Sequence, residues 1–163
     1  MNPQEDKIIV RKSPSADTRS ADHLITEDEL SKSTSMHIHD VINAMNWFAK
    51  SMVFRGTMHD WTKVKYFKEF YEQFSNAQRT GDWGTGWYDE IHIQKERHHL
   101  NDRCPDDIDL IDVLEQIADS VMAGLARSGR YREGDAPSAE MLQKAYRNTV
   151  RKLLDHTEVQ EDA

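Results

Sequence analysis

His59 and Asp60, adjacent in Met-His-Asp-Trp-Thr-Lys, set an imidazole beside a carboxylate, the two side-chain types that bind divalent metal ions of the transition series. One pair does not make a site, because such an ion takes further donors. The chain carries eight histidines. His92, His98 and His99 lie in one short stretch, His37 precedes His59 by 22 residues, and Asp119 follows Asp60 by 59. A set of two histidines and two aspartates leaves coordination positions open for water and substrate. An ion held that way lowers the pKa of water toward neutrality and offsets charge on phosphoryl oxygens, so the reaction class is phosphoester hydrolysis.

Helices must position these residues. From Met36 to about Phe54 the apolar residues Val41, Ala44, Met45, Phe48 and Met52 recur at three and four, which predicts a helix with a buried stripe, ended by Gly56. On that wheel His37 falls beside the stripe and His39 opposite it. A second helix is expected from His59 to about Phe74, with the His-Asp pair on its first turn and its aromatic residues in the core. The span from Ser75 to Trp87 holds three glycines and reads as a loop that could border a pocket, but it lacks the Gly-Lys-Ser/Thr pattern of a phosphate loop. Helical spacing over Tyr88 to Leu100 puts His92, Glu96 and His99 on one side and turns His98 away. Leu110, Leu114, Ile117, Val121 and Leu125 form a seam ending near Gly129, with Glu115 and Asp119 one turn apart on its flank. Ser138 caps a final helix through Leu142, Ala145, Tyr146, Val150 and Leu154. Thr26 and Glu29 have the form of a capping box for a short helix to Lys32.

No convincing strand alternation is found, and the expected fold is all-α, a bundle of about five to six helices with an extended N-terminal arm. The expected divisions are an arm over residues 1–35, a helical domain over 36–156 and a frayed acidic tail over 157–163. The formal charge is -8, from 29 acidic and 21 basic residues, which disfavours bulk nucleic acid and anionic membranes as partners. The mean hydropathy is -0.81, and no run approaches the length of a membrane-spanning helix. Without a signal-peptide pattern at the N-terminus, a cytoplasmic location is expected, the host cytoplasm for a phage-encoded chain. The single cysteine, Cys104, has no partner for an internal disulfide or a thiolate zinc site. An amphipathic last helix and tryptophans read as exposed suit a homodimer.

The order His37, His59-Asp60, Asp119 resembles that of the HD superfamily of metal-dependent phosphohydrolases, whose core is a helical bundle. By that resemblance His37, His59, Asp60 and Asp119 occupy the ligand positions for a divalent ion (manganese, iron, cobalt, nickel or zinc), and His98 or His99 supplies a second metal position. Lys63, which matches the lysine of a His-Asp-x-Gly-Lys motif, is expected on the substrate phosphate together with Arg97 or Arg103. Lys63 and Glu115 are the catalytic candidates, and the implied substrate is a nucleotide or related small phosphoester. The chain also looks like a family of small phage and bacterial proteins carrying Ala-Asp-Thr-Arg, His-Asp-Trp-Thr-Lys and Glu-Arg-His-His-Leu-Asn-Asp-Arg, here at Ala16 to Arg19, His59 to Lys63 and Glu96 to Arg103.

Two other readings compete. Glu69-x-x-Glu72 with Glu115 and Asp119 offers the oxygen-only magnesium site of an all-α nucleoside triphosphate pyrophosphohydrolase, which leaves the histidines idle. A non-catalytic binding protein that sequesters a nucleotide or blocks a host protein would use the same histidines structurally.

Overall fold

Thr26 and Glu29 do form a capping box: Thr26 N–H donates to Glu29 Oε2 at 2.8 Å, and Glu29 N–H returns to Thr26 Oγ1 at 3.3 Å. Glu27, Asp28 and Glu29 then place three carboxylates on the positive end of the helix dipole. The helix so started, α1 (Glu27–Met58), is far longer than the short element expected there. It also runs through Gly56. A glycine inside a helix costs only about 1 kcal/mol, less than a continuous hydrogen-bond ladder returns.

The computed structural model describes residues 7–12, 21–84, 86–100, 105–131 and 136–161. Its elements are β1 (Ile8–Lys12), α1, α2 (Trp61–Lys65), α3 (Phe67–Thr80), a π-helical turn (Tyr88–His92) running into α4 (Ile93–Lys95), a 3-10 turn (Arg97–His99), α5 (Leu110–Ser128), α6 (Ala139–His156) and β2 (Thr157–Glu161). The fold is all-α, with two short strands among the described residues. Among the described residues no helix is long and apolar enough to cross a membrane.

The chain divides into two compact units, residues 1–54 with 150–163, and residues 55–149. In the first, β1 and β2 pair in parallel, Ile8 opposite Thr157 through Lys12 opposite Glu161. Residues 157–161 of the segment expected as a frayed tail therefore form a strand paired with β1. Lys7 Nζ donates to the Asp155 carbonyl at 2.6 Å beside that pair. Trp47 is the buried apolar side chain among the described residues of α1, packed on Phe48 and His156 at centroid distances of 5.1 and 4.9 Å. The apolar stripe read from the sequence lies one position away from it, and Val41, Met45 and Met52 are exposed.

In the second unit the core gathers Leu100, Ile108, Val113 and Ala145, with Leu110 and Met141 packed on it. Asp109 caps α5, accepting from Ile111 N–H and Asp112 N–H, while its own N–H donates to Asp112 Oδ2 at 2.8 Å. α6 clamps the turn that leads in: Asn148 Nδ2 donates to the carbonyls of Asp106 and Ile108, and Leu110 N–H donates to Thr149 Oγ1. The start of α5, and with it the register of Glu115 and Asp119, is thereby fixed. Gly129 ends α5 at φ 65°, and Ser138 Oγ accepts from Met141 N–H at the start of α6, as the sequence indicated. The α3 aromatics are not the expected core, since Phe67, Tyr71 and Phe74 are exposed and Phe70 alone packs inward, on Trp87 at 5.3 Å. α3 also extends to Thr80, past the Ser75 where a loop was expected.

Candidate metal centre

His59 and Asp60 lie on the corner between α1 and α2 rather than on a helical turn. Asp60 adopts the left-handed conformation, φ 57°, ψ 25°, which aspartate tolerates better than most residues. The corner folds both side chains toward α5 and the histidine segment. His59 Nδ1 donates to Glu115 Oε1 at 2.9 Å, which turns its Nε2 toward Asp60 Oδ2 and Asp119 Oδ1, each 3.6 Å away. Both of those neighbours are acceptors.

The same arrangement recurs at His92 through a longer chain of contacts. Thr62, fully buried, donates its one hydroxyl proton to Glu96 Oε1 at 2.6 Å, and its backbone N–H donates to the same oxygen at 2.8 Å. The hydroxyl must then accept at its 2.7 Å contact with His92 Nδ1, which makes His92 the donor there. Burial, assisted by the nearby Lys63 charge, pushes the His92 pKa down to about 3, so the ring is neutral and its Nε2 carries a lone pair. That nitrogen is buried, lacks a hydrogen-bond partner, and stands 3.5 Å from Asp60 Oδ1, itself buried and unpartnered. Trp87 stacks on the ring at 5.4 Å and holds its plane.

His98 completes a third copy. Its Nδ1 lies 3.1 Å from Glu115 Oε1, a contact whose angle falls short of a hydrogen bond, and its Nε2 lies 3.9 Å from Asp60 Oδ1. Burial lowers the His98 pKa, but the Glu115 carboxylate more than offsets this and the net shift is upward. Asp60 and Glu115 behave in the opposite sense. Burial raises each, and the facing cations and hydrogen bonds, Lys63 for Asp60 and the two histidines for Glu115, hold both below the usual carboxylate range.

Three imidazoles thus have Nδ1 turned to the surrounding protein and Nε2 turned to one carboxylate. Two donors about 2.1 Å from one ion at a tetrahedral angle stand about 3.4 Å apart, and the 3.5–3.9 Å separations around Asp60 are of that length. Three overlapping triads have their ligand atoms within 4.8 Å of one another: His59, His98, Glu115; Asp60, His92, Glu96; and His92, His98, His99. His99 is neutral as well, its pKa lowered by burial and by His98 to about 4, and its Nε2 is buried without a partner. A donor set rich in imidazole with carboxylates fits manganese, iron, cobalt, nickel or zinc.

Of the residues singled out in the sequence, His59, Asp60, Asp119, His98, His99, Lys63 and Glu115 meet here. His98, expected to look away, is buried in the cluster because the helix breaks at Glu96, whose extended backbone (φ -84°, ψ 115°) swings the next three residues around. His37 does not join them. It is exposed on α1 in the first unit and belongs to none of the ligand groups among the described residues. Lys63 donates to Asp60 Oδ2. Arg97 is not available to a phosphate: it holds Asp112 through Nε and Nη2 at 2.8–3.1 Å and Asp107 through Nη1 at 2.7 Å. Arg103, like Cys104 and the Ala16 to Arg19 motif, lies outside the described residues. Glu69 and Glu72 are exposed on α3 and take no part in the cluster, which removes the ligand pair of the pyrophosphohydrolase reading.

Sequence reasoning missed Thr62, Arg55 and Tyr88, and set Glu96 beside His92 and His99 without giving it a role. Arg55 faces Asp112 at 3.4 Å and Glu115 at 3.8 Å, neutralising the carboxylates behind the histidines. Tyr88 covers His92 at 4.9 Å and is half-exposed beside the cluster, its pKa raised by burial and then by Asp119 and Asp60.

The comparisons with known proteins place the chain by family. It belongs to DUF5662, a family of unknown function, whose model matches residues 26–158. No curated protein and no solved structure matches it. The matched span includes every residue of the cluster.

Proposed function

We propose that the chain is a metal-dependent phosphohydrolase acting on a nucleotide or a related small phosphoester. The observation that carries this reading is the buried His92 Nε2 lone pair facing the buried Asp60 Oδ1 at 3.5 Å with no proton between them. Two desolvated acceptors at that distance repel, and a cation between them removes the repulsion. His59, Asp60, His92 and His98, with Asp119 at the edge, would hold a divalent ion. When bound, it supplies Lewis-acid chemistry and an acidified water. Glu115 and Thr62 hold the Nδ1 atoms of His59 and His92 and so orient each Nε2 toward the ion. Asp119, a third exposed at its side chain, is placed to accept a proton at the mouth of the site. Lys63 uses one of its three N–H donors on Asp60 and offers the others to a phosphoryl oxygen. Relative to the HD order, the His-Asp pair and the later aspartate are kept, and the role expected of His37 passes to His92 and His98.

The test is elemental analysis of untagged protein and of Asp60→Asn, with a phosphate-release panel of nucleotides under added manganese, cobalt or nickel. Near-stoichiometric metal lost in the variant, with metal-dependent turnover, is the expected result. Metal without turnover on any phosphoester would retire the enzyme and leave a metal-binding protein; absence of metal binding would retire both.

A further inference from the structure

The first unit holds a groove of about 1060 Å³ between β1 and α1. Its charge runs against that of the chain. Lys7, Arg11, Lys32 and Lys50 line it against one carboxylate, Asp40, whereas the whole sequence has 21 basic to 29 acidic residues. It shares no residue with the metal centre.

Side chains of a strand alternate between its two faces, so a groove meeting one face would be lined by every second residue. Lys7, Ile9 and Arg11 of one face line this one, and so does Ile8 of the other, so the groove reaches past that face to the edge of β1. The sheet has two strands, and β2 occupies one edge of β1; among the described residues the other edge has no strand partner. Such an edge presents a row of N–H and C=O groups ready to pair with another extended chain. On the opposite wall, Lys32 and Lys50 are 18 residues apart on α1, about 27 Å. Eight residues of extended chain span about the same length. Between the cations the lining is partly apolar, with Ile8, Met36 and Trp47, and the Trp47 indole N–H is buried without an acceptor.

We propose that this groove docks an extended acidic segment of a partner protein, added as a strand to the open edge of β1 with its carboxylates on Arg11 and Lys32. The length, the strand edge and the sign of the charge fit that occupant together. A single-stranded nucleic acid would answer to the charge but has no use for a strand edge, and no exposed aromatic residue lines the groove to stack its bases.

The test uses the full chain and a labelled octapeptide of alternating glutamate and valine, read by fluorescence anisotropy. Saturable binding that weakens as salt rises is expected. Arg11→Glu/Lys32→Glu, both at exposed positions and checked for unchanged circular dichroism, should weaken it by about tenfold or more. Two further peptides carry backbone N-methyl groups on the odd or on the even residues, and one of the two should lose about tenfold because strand addition uses alternate N–H groups. No binding, equal binding of all three peptides, indifference to the charge reversal, or oligothymidylate of equal charge binding as tightly would each overturn the proposal. None of these readouts depends on metal or turnover.

Discussion

Thr62→Val removes one hydroxyl from the second unit and keeps the side chain's shape. Two contacts go with it: the bond donated to Glu96 Oε1 at 2.6 Å and the one accepted from His92 Nδ1 at 2.7 Å. The first, to a carboxylate, is worth about 1.5–3 kcal/mol, and stranding the buried His92 N–H costs about 1–3 kcal/mol. The two terms overlap because Glu96 retains the Thr62 backbone N–H, so a loss of about 3 kcal/mol is expected, or about 6–12 °C in Tm for a chain of this length. The second consequence separates the site from the scaffold. Once Nδ1 has no acceptor, the proton is free to move to Nε2, and the nitrogen that faces Asp60 ceases to be a lone pair. Loss of such a supporting contact lowers metal affinity by about 10–100-fold. Thr62→Ser keeps the hydroxyl and sheds a methyl group, about 1 kcal/mol of burial, so it should lose some stability while binding metal as the parent does. Isothermal titration with zinc or manganese, beside thermal unfolding of the metal-free proteins, reads both. A folded Thr62→Val chain with parental metal affinity would refute the tautomer argument on which the site rests.

Three further outcomes follow from the same contacts. Lys63→Ala should keep metal stoichiometry and raise the apparent KM for a phosphoester by about tenfold, the scale of one charge-assisted contact; unchanged KM and kcat would remove Lys63 from the substrate site. Arg97→Met strands Asp112, which is fully buried and keeps, among the described residues, Arg55 at 3.4 Å and the Asp109 N–H, so urea denaturation should show a loss of about 3 kcal/mol or more with metal binding retained. An effect confined to substrate affinity would instead restore the phosphate role. Glu29 is held below the usual carboxylate pKa by its bond from the Thr26 N–H and then by His23 and the Thr26 hydroxyl. A depressed acid contributes stability above its unfolded value and loses it as pH falls through the folded one. Protection factors of the first-turn amides of α1, taken against the intrinsic exchange rate at each pH, should therefore fall as pH drops below about 4.5, and Glu29→Gln should flatten that dependence; identical profiles would exclude the capping box as its cause.

The helix ends were legible because the groups that make them lie within a few residues of one another. The Thr26 and Glu29 box, the Ser138 cap and the Gly129 stop each satisfy backbone groups locally, and no distant contact can overrule them cheaply. The Gly56 stop failed for the complementary reason: it is a propensity, with no capping group attached, and the ladder of α1 outweighs it. His59, Asp60 and Asp119 were legible by residue type. Their convergence was not, since Asp60 reaches the cluster through a left-handed backbone that no periodicity announces.

The histidine segment shows where periodic reasoning must break. A regular helix from Tyr88 to Leu100 would have turned His98 to the other side and left His92 with His99 alone. The chain instead widens into a π turn at Tyr88–His92, extends at Glu96 and tightens at Arg97–His99, ending on Leu100 at φ 46°. Three departures from regularity within thirteen residues carry a conformational cost, of order 1 kcal/mol or more for the left-handed leucine alone. What they achieve is the gathering of His92, His98 and His99 in the interior, with unpartnered nitrogens among them. Apolar packing alone gives no reason to bury three imidazoles against a carboxylate, since a leucine in each place would bury more apolar surface without a desolvation penalty. An arrangement that is strained in the backbone and short of protons in the side chains gains most from a cation. Among the contacts of this chain, those around Asp60 are the ones that the fold itself does not explain.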